Sequence, residues 1–172
     1  AKTNINQLVG RSGSPFPRIG EKTLRTLHER AQLAKQSNPK PYRKGPIHLP
    51  KASTELFFDI EVDPMRDICY LHGFVERHNR KASTEKFVYF FADDISAAEE
   101  ERVFSEAFQY IQSKQPWALY FFSKYERTRY KKLQTRYPSV CSAADIDSLF
   151  DPLTAIDLLD VVRKFTEWPT RD

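Results

Sequence analysis

Short apolar and aromatic runs, each followed by a polar or turn-rich segment, define the chain from Thr54 onward. The runs ELFFDIEV, ICYLHGFVE and EKFVYFFA occupy residues 55–62, 68–76 and 85–92. Their length and their content of β-branched and aromatic residues are typical of strands. The pattern therefore predicts three consecutive strands joined as a meander.

The next segment has the spacing of a helix. Ser96, with Glu99 three residues later, has the signature of a capping box, and Pro116 ends the pattern. Apolar residues recur at intervals of three and four, which predicts a helix that covers one face of the sheet. The predicted buried positions are Val103, Phe104, Ala107, Phe108 and Ile111.

Strand and helix patterns alternate over the rest of the chain. WALYFF at 117–122 has the composition of a buried strand, and the basic segment KYERTRYKKLQTRY that follows has that of a helix. A short helix at about 144–150, a strand at 155–158 and a helix through VVRKF complete the prediction. This order predicts an α/β fold, with a mixed sheet flanked by helices.

Residues 1–50 differ in composition from this body. They contain more than half of the prolines and four of the five glycines, which prevents a continuous sheet or a long helical bundle. One helix is predicted from Glu21 onward. The turn before it, in IGEKTL, resembles the second half of a helix-hairpin-helix, which binds phosphate through backbone N–H groups; an ordinary capped helix is the alternative. The predicted apolar face of the helix holds Leu24, Leu27, Ala31 and Ala34.

Charge is divided unevenly between these two parts. Residues 1–51 carry 11 bases against two acids, a net charge of +9, so that residues 52–172 hold the remaining 16 bases and 21 acids, a net charge of −5. A basic arm beside a mildly acidic body suits contact with a polyanion such as DNA or RNA. A solvated basic tail is the alternative interpretation.

Length and composition exclude several classes of protein. A chain of 172 residues that is 40% hydrophobic is long and apolar enough for one folded domain with an appendage. No run approaches the roughly 18 apolar residues that would cross a membrane, so no membrane partner is expected. The two cysteines, Cys69 and Cys141, are too few for a disulfide framework, which favours a cytoplasmic location. Because Met65 is the sole methionine, the sequence is expected to be part of a longer chain.

Asp59 and Glu61 are the most informative residues, because they are acids within an apolar strand. Side chains two positions apart on a strand project from the same face, so both carboxylates meet one small region. Adjacent negative charges in a partly apolar place repel each other, and a divalent cation such as Mg²⁺ or Mn²⁺ relieves that repulsion. The alternative is one solvated acid and one acid paired with a base.

Two further acids lie at the ends of later strands. Glu126 follows WALYFF, and the carboxyl end of a strand is the usual place for a site in an open α/β sheet. If the strand before Glu126 lies beside the strand of Asp59, the two acids meet. A first-turn glutamate that interacts with the helix dipole is the alternative. Asp157 is a weaker candidate metal ligand, for which a helix cap is the slightly favoured alternative.

The helix that begins beside Glu126 is rich in bases and tyrosines. Bases next to carboxylates suit a phosphate backbone, and aromatic rings suit stacking on unpaired bases, although a solvated helix face is equally consistent with the pattern. The four scattered histidines are expected to be structural or on the surface. The predicted nucleic-acid-binding residues are Lys124, Tyr125, Arg127, Arg129, Lys131 and Lys132.

Three segments together, LFFDIEVDPMRDICYLHGF, YFFSKYERTRYKKL and AIDLLDVVRKF, resemble the ribonuclease H-like 3′–5′ exonuclease domain of the RecB-like nuclease family, a branch of the DnaQ-like (DEDD) exonucleases. The similarity covers about residues 54–166. It implies a five-stranded mixed sheet, with Asp59 and Glu61 at the first exonuclease motif and Glu126 at the second. It also implies two bound Mg²⁺ or Mn²⁺ ions and a helix-hairpin-helix-like segment at residues 10–36.

The chain departs from this family in two places. Phe121 and Phe122 stand where the family commonly has a His-Tyr pair. The third exonuclease motif, a Tyr or His four residues before an Asp, is not found after Asp157; Tyr89 and Asp93 have that spacing but lie too early. The site is therefore expected to be incomplete, with weak metal binding.

The resulting prediction is a basic arm at 1–50 and a ribonuclease H-like exonuclease domain at 54–172, C-terminally incomplete. This domain would act as a two-metal 3′–5′ exonuclease on DNA or RNA, with single strands favoured. A non-catalytic nucleic-acid-binding or docking module on the same fold is the main alternative, and a mononucleotide phosphohydrolase is a weaker one.

Overall fold

The computed structural model describes Phe16 and residues 18–169. The chain divides into two compact units, one formed by residues 47–161 and the other by the described parts of residues 1–46 and 162–172. The predicted boundary between a 1–50 arm and a 54–172 domain stays a prediction. In the structure the division falls after Pro46, and the described residues from Val162 onward group with the arm. None of the helices in the described part of the chain is long and apolar enough to cross a membrane.

The larger unit is built on a five-stranded mixed sheet. The strands are β2 (Thr54–Asp63), β3 (Ile68–His78), β4 (Lys86–Phe91), β5 (Trp117–Phe121) and β6 (Ala155–Asp157). Their order in the sheet is β4-β3-β2-β5-β6. Strands β2, β3 and β4 form the predicted antiparallel meander, whereas β5 runs parallel to both β2 and β6. The predicted α/β class, a mixed sheet flanked by helices, is confirmed.

Three helices of this unit share one core with the sheet. They are α2 (Ala97–Ser113), α3 (Tyr125–Arg136) and α4 (Ala143–Leu149). Leu56, Phe58 and Ile60 of β2 point into this core, and the ring of Tyr130 from α3 packs edge-on against Phe58, with centroids 5.0 Å apart. We call this side of the sheet the core face and the other side, which carries Asp59, the outer face. The predicted buried positions of α2 are all buried.

The helix start at Ser96 differs from the predicted capping box. The Ser96 hydroxyl accepts a hydrogen bond from the Glu99 backbone N–H, as expected. The Glu99 carboxylate does not close the box; instead it accepts from the Asp93 N–H at 2.8 Å and pairs with Arg102 at 2.6 Å. The nearby guanidinium competes for that carboxylate, so only half of the box forms.

The smaller unit contains the predicted helix, α1 (Glu21–Ala34), and the strands β1 (Tyr42–Arg43) and β7 (Thr166–Glu167), which pair antiparallel. The prediction of its apolar face was wrong in part: Leu24 and Leu33 are buried, whereas Leu27, Ala31 and Ala34 are exposed. The helix-hairpin-helix-like segment predicted at 10–36 lies partly outside the described residues. A last helix, α5 (Leu158–Phe165), leads into β7.

Candidate active site

Strand β2 positions the first two acids. Because side chains alternate along a strand, Asp59 and Glu61 project from the outer face and are exposed, while Phe58 and Ile60 between them are buried. Asp59 Oδ1 accepts a hydrogen bond from the Ile60 N–H at 2.9 Å. The register with β3 shifts between Glu61 and Val62, an irregularity after which the pairing continues with Val62 opposite Cys69.

Glu126 reaches the same edge of the sheet from β5. This strand runs parallel to β2, so the carboxyl ends of both strands lie on one side, as predicted. Ser123 then adopts a left-handed conformation, with φ of 95°, and the chain turns into the first turn of α3. Glu126 is 3% exposed there, and its Oε2 is buried without a hydrogen-bond partner among the described residues.

One cavity of about 590 Å³ joins the three acids. Its walls come from four strands, from Phe122 after β5 and from the first turns of α3 and α5. Apart from Asp59, Glu61 and Glu126, the residues that line it are apolar or aromatic. They are Phe57, Phe58, Ile60, Leu71, Phe74, Val75, Phe87, Tyr120, Phe121, Phe122 and Leu158, with Gly73 between them.

The cavity disfavours a negative charge on Glu126. The pKa of Glu126 is raised to about 7: burial is the largest cause, the negative charges of Asp59 and Asp157 act in the same direction, and hydrogen bonds from the backbone N–H groups of Glu126 and Phe122 act against them. A carboxyl group with this pKa is only partly ionised near neutral pH. The electrostatic environment is therefore one that a positive ion would stabilise.

Asp157 serves first as a cap, the alternative that the sequence slightly favoured. Its Oδ1 accepts backbone hydrogen bonds from Leu159 at 3.0 Å and Asp160 at 3.2 Å in the first turn of α5. It also accepts from the Ser123 N–H at 3.0 Å. Asp157 thus fixes the strained turn that precedes Glu126, while metal binding by Asp157 itself stays a prediction.

Glu126 differs from the other buried glutamates in having no basic partner. Glu55 pairs with Arg77 at 2.9 Å, Glu76 with Lys114 at 3.0 Å, Glu100 with Arg136 at 2.5 Å and Glu167 with Arg30 at 2.5 Å. Within the described ranges, no ion pair with Lys or Arg involves Glu126, Asp59 or Glu61. Glu55 also gives a direct comparison for Asp59, because both acids lie on the same face of β2 and only Glu55 has a basic partner there.

The predicted nucleic-acid-binding residues of α3 divide into three kinds. Lys124, Tyr125 and Lys132 are exposed. Arg127 and Lys131 are also exposed but lie 3.9 Å and 2.8 Å from the carboxylate of Asp147. The structure contradicts the prediction for Arg129, because its side chain is buried and its guanidinium binds Asp67 at 2.7 Å. Helical periodicity turns this one position inward, among bases that otherwise face solvent.

The acids fit a divalent cation in their chemistry. Carboxylate oxygens are the ligands that Mg²⁺ and Mn²⁺ prefer, and the buried Glu126 Oε2 lacks the partner that such an oxygen normally has. Across residue 16 and residues 18–169, no three acidic, His or Cys side chains are already close enough together to hold an ion. The donors are thus present around one cavity but are not drawn together.

Sequence reasoning missed Gly73 and Phe87 as parts of this cavity. Gly73 pairs with Asp59 across β2 and β3, and Phe87 stands on β4 beyond it. The signal available in the sequence was the aromatic run KFVYFF, which forms β4 and has aromatic side chains on both faces of the sheet. Which of its rings faces the acids depends on strand register, which the sequence did not give.

A family model described as the RNase_H superfamily matches residues 56–169. The match includes Asp59, Glu61, Glu126 and Asp157. No curated protein and no solved structure matches the chain.

Proposed function

The chain belongs to the RNase H superfamily, and from this membership together with the cavity we propose that it is a nuclease that hydrolyses phosphodiester bonds at Asp59, Glu61 and Glu126. The superfamily favours a nuclease and a nucleic-acid substrate in general. The finer proposal is a metal-dependent 3′–5′ exonuclease on DNA or RNA, in line with the resemblance of the two acidic segments to DEDD exonucleases.

The observation that carries this proposal is the buried carboxylate of Glu126, which has no basic partner and whose Oε2 has no hydrogen-bond partner among the described residues. Burying an acid without a hydrogen-bond or ionic partner costs free energy, and folded proteins rarely leave such a group unmatched unless it serves a ligand. The other buried glutamates of the described chain all have a basic partner. The site therefore lacks a positive charge, which a bound ion would provide.

Asp59, Glu61 and Glu126 are the residues that would hold two Mg²⁺ or Mn²⁺ ions. When bound, such ions supply polarisation of the phosphate and activation of the attacking water. The exposed carboxylates of Asp59 and Glu61 face solvent and so are reachable by substrate. Burial of Glu126 keeps its carboxylate away from solvent, which strengthens the electrostatic interactions of that group. Asp157 holds the turn on which Glu126 depends.

Replacing Asp59 by Asn tests the assignment. The change removes a negative oxygen at nearly constant shape, and we expect hydrolysis of single-stranded DNA or RNA with Mn²⁺ to fall more than about 100-fold, beyond the loss typical of groups that only support a metal ligand. Strands labelled at the 5′ or the 3′ end give the polarity of digestion.

Asp63→Asn is the matched control. Asp63 ends the same strand, but its carboxylate caps a local turn through Met65 N–H at 2.8 Å and pairs with Arg66 at 2.8 Å. It should retain wild-type activity. Unchanged hydrolysis in Asp59→Asn would overturn the proposed function. Salt-dependent binding of nucleic acid in EDTA, without cleavage under any metal condition, would instead select the non-catalytic binding module.

A further inference from the structure

Edge strand β4 carries a row of exposed aromatic side chains on the outer face of the sheet. Phe87, Tyr89 and Phe91 are 63%, 59% and 51% exposed, whereas Val88 and Phe90 between them pack against the core. The rings of Phe87 and Tyr89 are stacked, with centroids 5.6 Å apart and planes 24° from parallel. Exposed rings of this kind, ordered against each other, form a flat apolar surface that is open to a ligand.

Strand register places this surface directly beside the acids. Asp59 pairs with Gly73, and Gly73 pairs with Tyr89, so the three residues form one row across β2, β3 and β4. Adjacent strands are about 4.8 Å apart, which puts the backbones of Asp59 and Tyr89 about 10 Å apart. Gly73 contributes no side chain to the gap between them.

The aromatic surface and the acids also share one cavity. Phe87 lines the cavity that contains Asp59, Glu61 and Glu126. A Cβ atom at Gly73 would come within 3.6 Å of the Phe87 ring, so the ring lies over the strand position that separates it from the acids. The surface is thus continuous with the candidate active site.

The chemistry that suits such a surface is a nucleobase with a free face. Stacking of a base on an aromatic side chain contributes about 1–3 kcal/mol and tolerates any base, because every base has a π-face. A base inside a duplex is covered by its neighbours, whereas a base in a single strand or a frayed end is not. The surface therefore selects unpaired nucleotides.

We infer that Phe87 and Tyr89 form a stacking platform for an unpaired base of the substrate strand, which holds the adjoining phosphodiester at Asp59, Glu61 and Glu126. This inference rests on the proposed function, and it specifies the substrate as a single-stranded or frayed end. The platform is separate from the basic residues of α3, which would contact phosphates rather than bases.

The experiment measures binding of a fluorescent oligothymidylate and of a matched duplex, with Asp59→Asn as background so that the strand stays intact. We expect Phe87→Ala and Tyr89→Ala each to weaken single-strand binding roughly 5- to 150-fold, the range that 1–3 kcal/mol per base gives. Duplex binding should change little. Phe87→Tyr should bind normally and Phe87→Leu should not, because stacking needs a ring rather than apolar bulk.

Phe91→Ala is the matched control, because this ring lies on the same face of the same strand but is not part of the stacked pair; it packs edge-on against Tyr70, with centroids 5.8 Å apart. All these side chains are exposed, so thermal unfolding should show intact folds. Equal single-strand affinity of wild-type, Phe87→Ala and Tyr89→Ala proteins would overturn the platform. A dimer that becomes monomeric in Phe87→Ala, with strand binding unaffected, would show that the surface joins two copies of the chain and would also overturn it.

Hydrolysis separates failure of the platform from failure of the proposed function. If Asp59→Asn abolishes cleavage while the aromatic variants bind and cleave single strands like the wild type, only the platform is wrong. If Asp59→Asn cleaves normally, the proposed function is wrong whatever the aromatic variants do. The platform is then tested only by the binding data for unpaired strands.

Discussion

Glu100 and Glu126 occupy equivalent places in two helices that share one core with the sheet, since each is a buried glutamate in the first turn of its helix. Around Glu100 every oxygen has a partner: the Cys69 N–H donates at 2.6 Å, the Tyr137 hydroxyl at 2.7 Å and the Arg136 guanidinium at 2.5 Å. In the described chain, Glu126 forms no ion pair with Lys or Arg, and its Oε2 has no hydrogen-bond partner. The first arrangement stabilises the fold, while the second leaves a charge for something else to match.

The same contrast runs through the two faces of the sheet. On the core face even the fully buried His72 has a partner: its Nδ1 lies 2.9 Å from the Tyr130 hydroxyl. Burial lowers the pKa of His72 to about 3. On the outer face, Asp59 and Glu61 have no Lys or Arg partner among the described residues, and the rings of β4 are exposed. Function is therefore best sought where buried or apolar groups lack the partners that the fold supplies elsewhere.

Removing Glu100 should have the largest effect on stability. In Glu100→Ala, Arg136 loses a buried partner and the Cys69 N–H is left without an acceptor, so we expect a loss of about 3–5 kcal/mol in the free energy of unfolding, measured with urea. Glu106→Ala is the control on the same helix: its pair with Arg102, at 3.0 Å, is half-exposed, and its loss should cost less than about 1 kcal/mol. Equal effects of the two changes would remove the contrast between a buried and an exposed pair.

Neutralising Glu126 should raise the free energy of unfolding, whereas removing Glu100 should lower it. Because the folded state raises the pKa of this carboxyl from 4.5 to about 7, the unfolded protein ionises it first, and its contribution to stability falls as the pH rises from about 4.5 to 7. In EDTA at pH 8, Glu126→Gln should therefore be more stable than wild type by up to about 3 kcal/mol, less about 0.3–1 kcal/mol for the lost interaction with the helix dipole. Below pH 4.5 the gain should vanish.

Divalent cations sharpen this prediction. Mn²⁺ should raise the melting temperature of the wild type at pH 8 and raise that of Glu126→Gln less, because the variant lacks a charged ligand. Asp59→Asn, at an exposed position, should change stability little in EDTA. Destabilisation by Glu126→Gln at pH 8 without metal would mean that Glu126 is a structural residue and that the two glutamates do not differ in kind.

The sequence was sufficient for those features that depend on local pattern. Apolar runs bounded by polar segments gave the order of strands and helices, and strand alternation put Asp59 and Glu61 on one face. The meeting of Glu126 with Asp59 was predicted on the condition that its strand lies next to β2, and the structure shows that the two strands are paired.

Other features depend on distant partners and could not be predicted from the sequence. The burial of Arg129 against Asp67, the diversion of Glu99 to Arg102 and the row from Asp59 through Gly73 to Tyr89 all require the register and packing of separate elements. Leu33 replaces Leu27 on the buried side of α1 for the same reason. The assignment of Asp59, Glu61 and Glu126 as a metal site stays a prediction.

The smallest expected effect on stability concerns the exposed face of α3. Asp147 is shared by Lys131 at 2.8 Å and Arg127 at 3.9 Å, and all three side chains are about half-exposed. Asp147→Asn should therefore change the free energy of unfolding by less than about 1 kcal/mol. It would also release two positive charges toward solvent, so single-stranded DNA should bind a few-fold more tightly at low salt, with a steeper dependence on salt, because more phosphates are neutralised.

Asp94→Asn removes the same charge from an exposed loop outside α3 and is the matched control. If both variants bind alike, the gain reflects net charge alone and the face of α3 does not contact the strand; if only Asp147→Asn gains, phosphate contacts belong to α3 while base contacts are left to the outer face of the sheet.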